Sequence, residues 1–591
     1  MFVQFGDSGA HETTGTWFGG VDDTSFGWLT HSTASAPRPQ AASSAPRPQA
    51  GSSAPRRCGV VIVPPIGYEY WTTHRSLRVL AERLAAEGFL VLRLDLRGTG
   101  DARGNMWDGA QSVASWRGDV ANAVEELRRL GAYSVSLVGL RFGATLAMQP
   151  ESTLSIDRVV GWLPVVDGKR YARELSMLST PVPDEASVYG TAARVLAGTV
   201  LTDALLSDIA ATSLKTPGKP ARDVLVVDRD DRPGSATLVD KLRVNAVEVE
   251  HVDQPGASAM LDVPTEEATV PDAHIDTIVQ YLAPLAATAE VLPRAELTFP
   301  NTEVMLESGV RERMITLGPN CLVGIEASPA GPDTDTAVLF LNTGSEPHVG
   351  SGRVWVEFSR ALAASGTAAI RLDFRGWGES PDDGLAPGRP YDAHTVDDVR
   401  DAVLGLRSRY QHVVVVGLCA GAWVGLRNIA DLPLDGFVAF NPQLYWQQGD
   451  PVEALMSDTR KRRIDEIAEI KTGAITGEWA RLEDGAPRCG RGQWIEDLAA
   501  AAVPVVLAFS PGDDGIEYLQ DRFASRIERA TTDPAATLEI RTMDSLDHPM
   551  HRHWRRSEGL AVIHAVVDKV RQAKSTATTV LRPDLLASYS A

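Results

Sequence analysis

The sequence predicts an α/β protein made of two successive units, each a mostly parallel sheet covered by helices on both faces. Three observations carry this. The chain has 591 residues, too long for one ordinary core when domains run to roughly 100–200 residues. From Cys58 onward, continuous apolar runs alternate with amphipathic segments, the pattern of buried parallel strands joined by crossover helices. Finally, the text repeats. LRLDLRGTGD at Leu92–Asp101 returns as IRLDFRGWGE at Ile370–Glu379, and VGLRFGA at Val138–Ala144 returns as VGLCAGA at Val416–Ala422, both 278 residues later. Two matches at one spacing predict a tandem duplication, with units at 1–290 and 291–575 and a tail at 576–591.

The elements follow in order. Thr16–Thr30 mixes aromatic and β-branched residues with Gly and Asp and predicts a hairpin belonging to the first unit. The Pro/Ser-rich stretch from Ser35 to Arg57 repeats a short Ala-Pro-Arg-Pro phrase; such composition resists packing and predicts a solvated insertion, placed at 32–57. Next come a strand in CGVVIVPP, a helix in SLRVLAERLAAEGF closed by a Gly stop, a strand in FLVLRLD, a helix in DVANAVEELRRLG and a strand in YSVSLVG. The second unit repeats this order in TAVLFLN, VWVEFSRALAASG, TAAIRLD, VDDVRDAVLGLRSRY and HVVVVG.

Composition bounds the function. Hydrophobic residues make up 44% and charged residues 23% of the chain, a globular balance. The net charge of −20 argues against a broad nucleic-acid or anionic-membrane surface. Four cysteines (Cys58, Cys321, Cys419, Cys489) are too few for a disulfide scaffold. The first residues lack the basic and apolar regions of a signal peptide, and no run of about 18 apolar residues predicts a membrane span. A cytoplasmic protein is the expectation. No CxxC or HExxH cluster and no P-loop ending is present, so neither a metal nor a cofactor is expected.

The chemistry-bearing phrase is Gly417-Leu418-Cys419-Ala420-Gly421, between the strand HVVVVG and the helical AWVGLRNIA. A residue forced into a sharp strand-to-helix turn needs neighbours without Cβ on both sides, and Gly at minus two and plus two supplies that room. A cysteine there sits at a helix N-terminus, where the dipole and free N–H groups favour a thiolate. The alternative is a small buried cysteine beneath a Gly-rich turn.

This strand–turn–helix resembles the nucleophile elbow of the α/β-hydrolase superfamily, with Cys in place of Ser. The likeness extends over both units and is nearest to serine-aminopeptidase-like and exosortase-associated hydrolases, with the phrase Pro65-Ile66-Gly67-Tyr68-Glu69-Tyr70 as a further point of similarity. The resemblance implies an order of nucleophile, acid, histidine. Asp513, in the turn after the apolar strand VPVVLAF, is the first choice for the acid and Asp514 the second. His548, before the helix SEGLAVIHAVVDKV, is the expected base, with His551 and His553 as competitors that read more simply as solvated residues. The oxyanion donors implied are the backbone N–H groups of Ala420 and Ser345. His348 is a pocket-mouth candidate or a surface histidine. The segment 441–502 is placed as a cap, with Tyr445 and Trp446 lining the pocket or simply packing.

In the first unit the elbow reads Gly139-Leu140-Arg141-Phe142-Gly143. Arginine stays protonated and is no acyl nucleophile, and Ala257 falls where His548 stands, so this unit resembles a degenerate hydrolase domain. Arg141 either grips an anionic ligand or is fixed by a neighbouring carboxylate. The function expected is acyl transfer through an acyl-cysteine, on a small-molecule or carrier-bound ester, thioester or activated acyl group. The competing readings are a non-catalytic scaffold and a lyase or cyclase reusing the pocket.

Overall fold

The computed structural model describes residues 11–20, 23–33, 57–105, 111–151, 153–183, 192–286, 301–331, 334–382, 385, 393–429, 432–442, 495, 498–501, 503–532 and 536–575. Its first unit contains β1 (His11–Gly20), β2 (Asp23–Ser32), β3 (Arg57–Val63), β4 (Leu90–Asp95), β5 (Ala132–Leu140), β6 (Arg158–Trp162), β7 (Thr180–Pro181), β8 (Ala193–Leu196), β9 (Thr199–Thr202), β10 (Asp223–Arg229) and β11 (Glu248–Gln254). The second contains β12 (Glu303–Met305), β13 (Val310–Leu317), β14 (Leu322–Pro329), β15 (Thr336–Phe340), β16 (Ala368–Leu372), β17 (His412–Leu418), β18 (Gly436–Phe440), β19 (Val505–Phe509) and β20 (Leu538–Thr542).

Among the described residues the first large sheet runs β1-β2-β4-β3-β5-β6-β10-β11 and the second runs β12-β13-β14-β16-β15-β17-β18-β19-β20. From β4 to β11 and from β16 to β20 the neighbours are parallel. The leading strands are antiparallel: β1–β2 is the predicted hairpin, and β2 pairs with β4 as β14 pairs with β16. The residues before the Pro/Ser-rich stretch thus lie in the same sheet as those after it.

Why these runs are strands is visible in where alternate residues go. Val61 and Val63 join one core layer and Val60 and Ile62 the other. In the same way Ala337 and Leu339 face one layer while Val338 and Phe340 face the opposite one. A strand buried on both faces has no polar side, so it reads as one unbroken apolar run. Two helices begin earlier than their apolar periodicity suggests. The helix Tyr68–Ala86 gains its first turns because Tyr70, Trp71, Thr72 and Thr73 are also buried. The helix Val113–Arg129 starts at a capping box in which Ser112 and Ser115 satisfy each other's backbone N–H groups.

The units meet along a boundary with reciprocal contacts. Arg93 of the first unit lies 2.5 Å from Glu379 of the second, and Arg371 of the second lies 3.0 Å from Asp101 of the first. Arg93 and Arg371 stand 278 positions apart, as do Asp101 and Glu379. Arg78 donates to the carbonyls of Gly378 and Ser380, and Arg353 donates to those of Gly100, Ala102 and Gly104. Apolar contacts fill the space between. Tyr70 and Trp71 pack with Val349 and Val356, and Trp17, Phe26 and Trp28 pack with Val323 and Ile325. No described helix is long and apolar enough to cross a membrane.

Candidate active site

Cys419 leaves β17 at φ 55°, ψ −116° and is the N-cap of the helix Ala420–Asn428. A positive φ is costly for a residue with a Cβ and persists only where the surroundings fix it. They do so here. Cys419 N–H donates to Phe440 O at 2.9 Å, and its carbonyl accepts from Trp423 N–H at 3.2 Å. A Cβ on Gly417 would lie 2.4 Å from Ala422 N, and one on Gly421 would lie 2.3 Å from Asn342 O. Both glycines are therefore steric requirements of the turn. Cys419 itself is partly exposed and is a free thiol.

Asp513 follows β19. Its Oδ1 accepts from Gly515 N–H at 2.8 Å, and its Oδ2 lies 2.5 Å from His548 Nδ1. Asp514 opens the next helix, Asp514–Thr532. The His548 loop is held by Asn441, whose Nδ2 donates to His548 O at 2.8 Å. Burial alone would push the imidazole of His548 down. Its hydrogen bonds to Asp513 and to Cys419 outweigh that and push it up to about 10. The sequence-chosen nucleophile, base and first-choice acid are thus brought together. The other histidines of the loop are engaged elsewhere. His551 Nε2 lies 2.9 Å from Ser351 Oγ, and burial pushes its ring down to about 4. His553 lies 2.9 Å from Glu357. The expectation that these two are solvated does not hold; both are at least partly buried.

The loop expected to supply the second oxyanion donor follows β15. Asn342 is buried against the elbow, as the contact with Gly421 requires. Ser345 is half-buried and lines a cavity of about 120 Å³ between the units, walled also by Trp71, His74, Arg78 and Trp377. Cys419 is not in its lining. Thr343, two residues earlier, carries a buried hydroxyl without a hydrogen-bond partner. His348 needs correction. It is neither at a pocket mouth nor on the surface but 2% exposed, with Nδ1 2.6 Å from Asp373 and Nε2 2.7 Å from Asp101 of the first unit. Tyr445, Trp446 and most of the segment 441–502 lie outside the described residues.

The first unit has the same turn with different contents. Arg141 sits at φ 55°, ψ −118°, and Cβ atoms on Gly139 and Gly143 would each fall 2.3 Å from a backbone oxygen. Arg141 Nε donates to Glu69 at 2.7 Å, and Tyr171 donates to the same carboxylate at 2.8 Å. The fixed reading of Arg141 is therefore the one observed. Ala257 is a buried residue opening a short helix after β11. Asp228, His251 and Asp253 place ligand-type atoms within 4.8 Å of one another, a grouping the sequence reading did not anticipate. Asp228 Oδ2 there already accepts from Gly234 and Ser235 N–H groups, each at 2.7 Å.

Residues 338–561 match the model of the Alpha/beta hydrolase family, a span that contains Cys419, Asp513 and His548. The second unit thus contains a region similar to that family, on an α/β fold. Among solved structures the chain is similar to brefeldin A esterase, a bacterial homologue of human hormone-sensitive lipase, at 19% identity over 44% of this chain and 76% of that one, with a TM-score of 0.31. It is similar to a Pyrococcus furiosus esterase at 14% identity, covering 45% and 92% of the two chains with a TM-score of 0.31. A dienelactone hydrolase from Anabaena variabilis gives 13% identity, 44% and 98% coverage and a TM-score of 0.30. No curated protein matches the chain.

Proposed function

We propose that the protein is an acyl-transfer enzyme in which Cys419 is the nucleophile, His548 the general base and acid, and Asp513 the group that orients His548. The observation that carries this is the single line of contacts Cys419–His548–Asp513 at a strained turn, inside the matched α/β-hydrolase span. His548, oriented by Asp513, takes the proton of Cys419 as the sulfur attacks at the helix N-terminus. The thiolate adds to the acyl carbonyl, and the oxyanion is received by Ala420 N–H and the Ser345 N–H of the loop after β15. The carbon–leaving-group bond then breaks and His548 protonates the leaving group. Water or another acceptor, deprotonated by His548, cleaves the acyl thioester and restores the thiol.

The substrate is a small or carrier-bound ester, thioester or activated acyl compound. We propose further that residues 1–290 and 291–575 are tandem copies and that the first serves a structural role, since Arg141 stands at its elbow and is tied to Glu69.

Incubation with p-nitrophenyl acetate, followed by intact mass and peptide mapping, is expected to find one acetyl group on Cys419. Iodoacetamide is expected to label Cys419 well ahead of Cys58, Cys321 and Cys489. Cys58 is the internal contrast, because it is buried and burial pushes its thiol up. Uniform labelling, or no acyl adduct on Cys419, overturns the reading in favour of a scaffold.

A further inference from the structure

We propose that Asp101 of the first unit is a positioning residue for the reaction at Cys419, holding through His348 and Asp373 the loop that receives the oxyanion. This rests on the acyl-transfer reading above and adds to it the reason the second unit requires the first.

The path is continuous and buried. Asp101 and Asp373 are 1% and 0% exposed, and His348 bridges them with one ring nitrogen to each. Asp373 then gathers the loop. Its Oδ1 accepts from His348 N–H at 2.7 Å and from Asn342 Nδ2 at 3.0 Å, and its Oδ2 accepts from Glu379 N–H at 3.0 Å. The Asn342 amide also donates to Glu346 O at 3.0 Å and accepts from Phe374 N–H at 2.8 Å. Both ends of the loop Asn342–His348 are thus fastened to one carboxylate, and Asn342 O presses on Gly421, two residues beyond Cys419. A donor aimed at a developing oxyanion works only if it is held in place before the charge appears.

Charge balance ties this path to the other unit. A second carboxylate and an arginine network surround the site. Arg371 contacts Asp101 and Glu312, and Arg360 contacts Glu312. Asp101, Asp373 and Glu312 are then balanced by Arg371, Arg360 and protonated His348. Without Asp101 the imidazolium loses half its pairing and Arg371 one of its two carboxylates. The reciprocal position differs. Tyr70 stands 278 residues before His348, and its hydroxyl donates to Asp95 of its own unit at 2.9 Å. The bridging imidazole is found in the unit that carries Cys419.

The test separates loop geometry from nucleophile quality. Attack on p-nitrophenyl acetate builds an oxyanion; alkylation by iodoacetamide does not. In the full-length protein, Asp101→Asn is expected to slow acetylation of Cys419 about 10- to 100-fold through kcat, with KM within about twofold of wild type. Its alkylation rate is expected to stay within about twofold of wild type. His348→Asn is the second variant and is expected to give the same split. Arg93→Gln breaks the reciprocal ion pair without touching the loop and is expected to leave both rates unchanged. Three results would overturn the proposal: wild-type acetylation in Asp101→Asn, alkylation falling in step with acetylation, or an equal loss in Arg93→Gln. Wild-type protein that alkylates at Cys419 but never acetylates there sinks the acyl-transfer reading first, and this inference with it.

Discussion

Arg141 and Cys419 occupy one backbone shape, φ 55°, ψ −118° against φ 55°, ψ −116°, with entirely different surroundings. Arg141 is tied to Glu69 and lies over the Tyr171 ring, 5.6 Å from its centroid. Cys419 interacts with His548, whose Nδ1 lies 2.5 Å from Asp513. The difference teaches that a strained elbow is maintained by packing. In each unit two glycines let the helix press onto the strand, and whatever residue stands between them inherits the positive φ. Strain marks a place where chemistry is accommodated; the neighbouring imidazole and carboxylate decide whether it occurs.

The sharpest break of this comparison is Cys419→Ala, expected to lower acyl turnover by about four powers of ten or more, read as release of nitrophenolate. A matched pair comes next. Gly421→Ala and Gly143→Ala each drive a Cβ to 2.3 Å from backbone oxygen, and each is expected to cost about 1–3 kcal/mol by thermal denaturation. Acylation at Cys419 is expected to fall in the first variant and to survive in the second. Arg141→Met leaves Glu69 without its cation. A loss of about 2 kcal/mol is expected, with acylation unchanged; a fall in acylation would instead give Arg141 a part in the reaction.

The smallest effect is on pH dependence. His548 is held up at about 10 against burial by Asp513 and Cys419. Its contribution to stability is complete below its ordinary value near 6.5 and fades as pH rises from there toward 10. Glu357 is held down at about 2, where Arg556 and His553 overcome its burial. Its contribution is complete above the ordinary 4.5 and fades as pH falls toward 2. Melting temperature plotted against pH is expected to decline on both sides, and His548→Gln is expected to flatten the alkaline side alone.

Local features were legible in the sequence. The elbow was readable because two glycines and a polar residue at fixed spacing sit between an apolar strand and a helix. His548 and Asp513 were readable because each follows a strand in the order the superfamily resemblance implies. His348 was not, for a physical reason. Its partner Asp101 lies 247 residues away, and a pairing across two units leaves no periodicity and no composition bias. A histidine in a Gly- and Pro-containing loop reads as exposed until the second surface is present. The same holds for His551 and His553, which are occupied by Ser351 and Glu357, far earlier in the same unit.

The reciprocal ion pairs set where this molecule tolerates drift. Were the chain severed near residue 290, Glu379 would lose Arg93 and His74, and Arg371 would keep Glu312 but lose Asp101. The arginine at the first elbow answers to Glu69, Tyr171 and Leu163, all of its own unit. Asp101 and Arg93 differ, because each completes the pairing of a residue in the other unit. The first unit thereby bears on the second through the face it turns toward it, whatever stands at its own elbow.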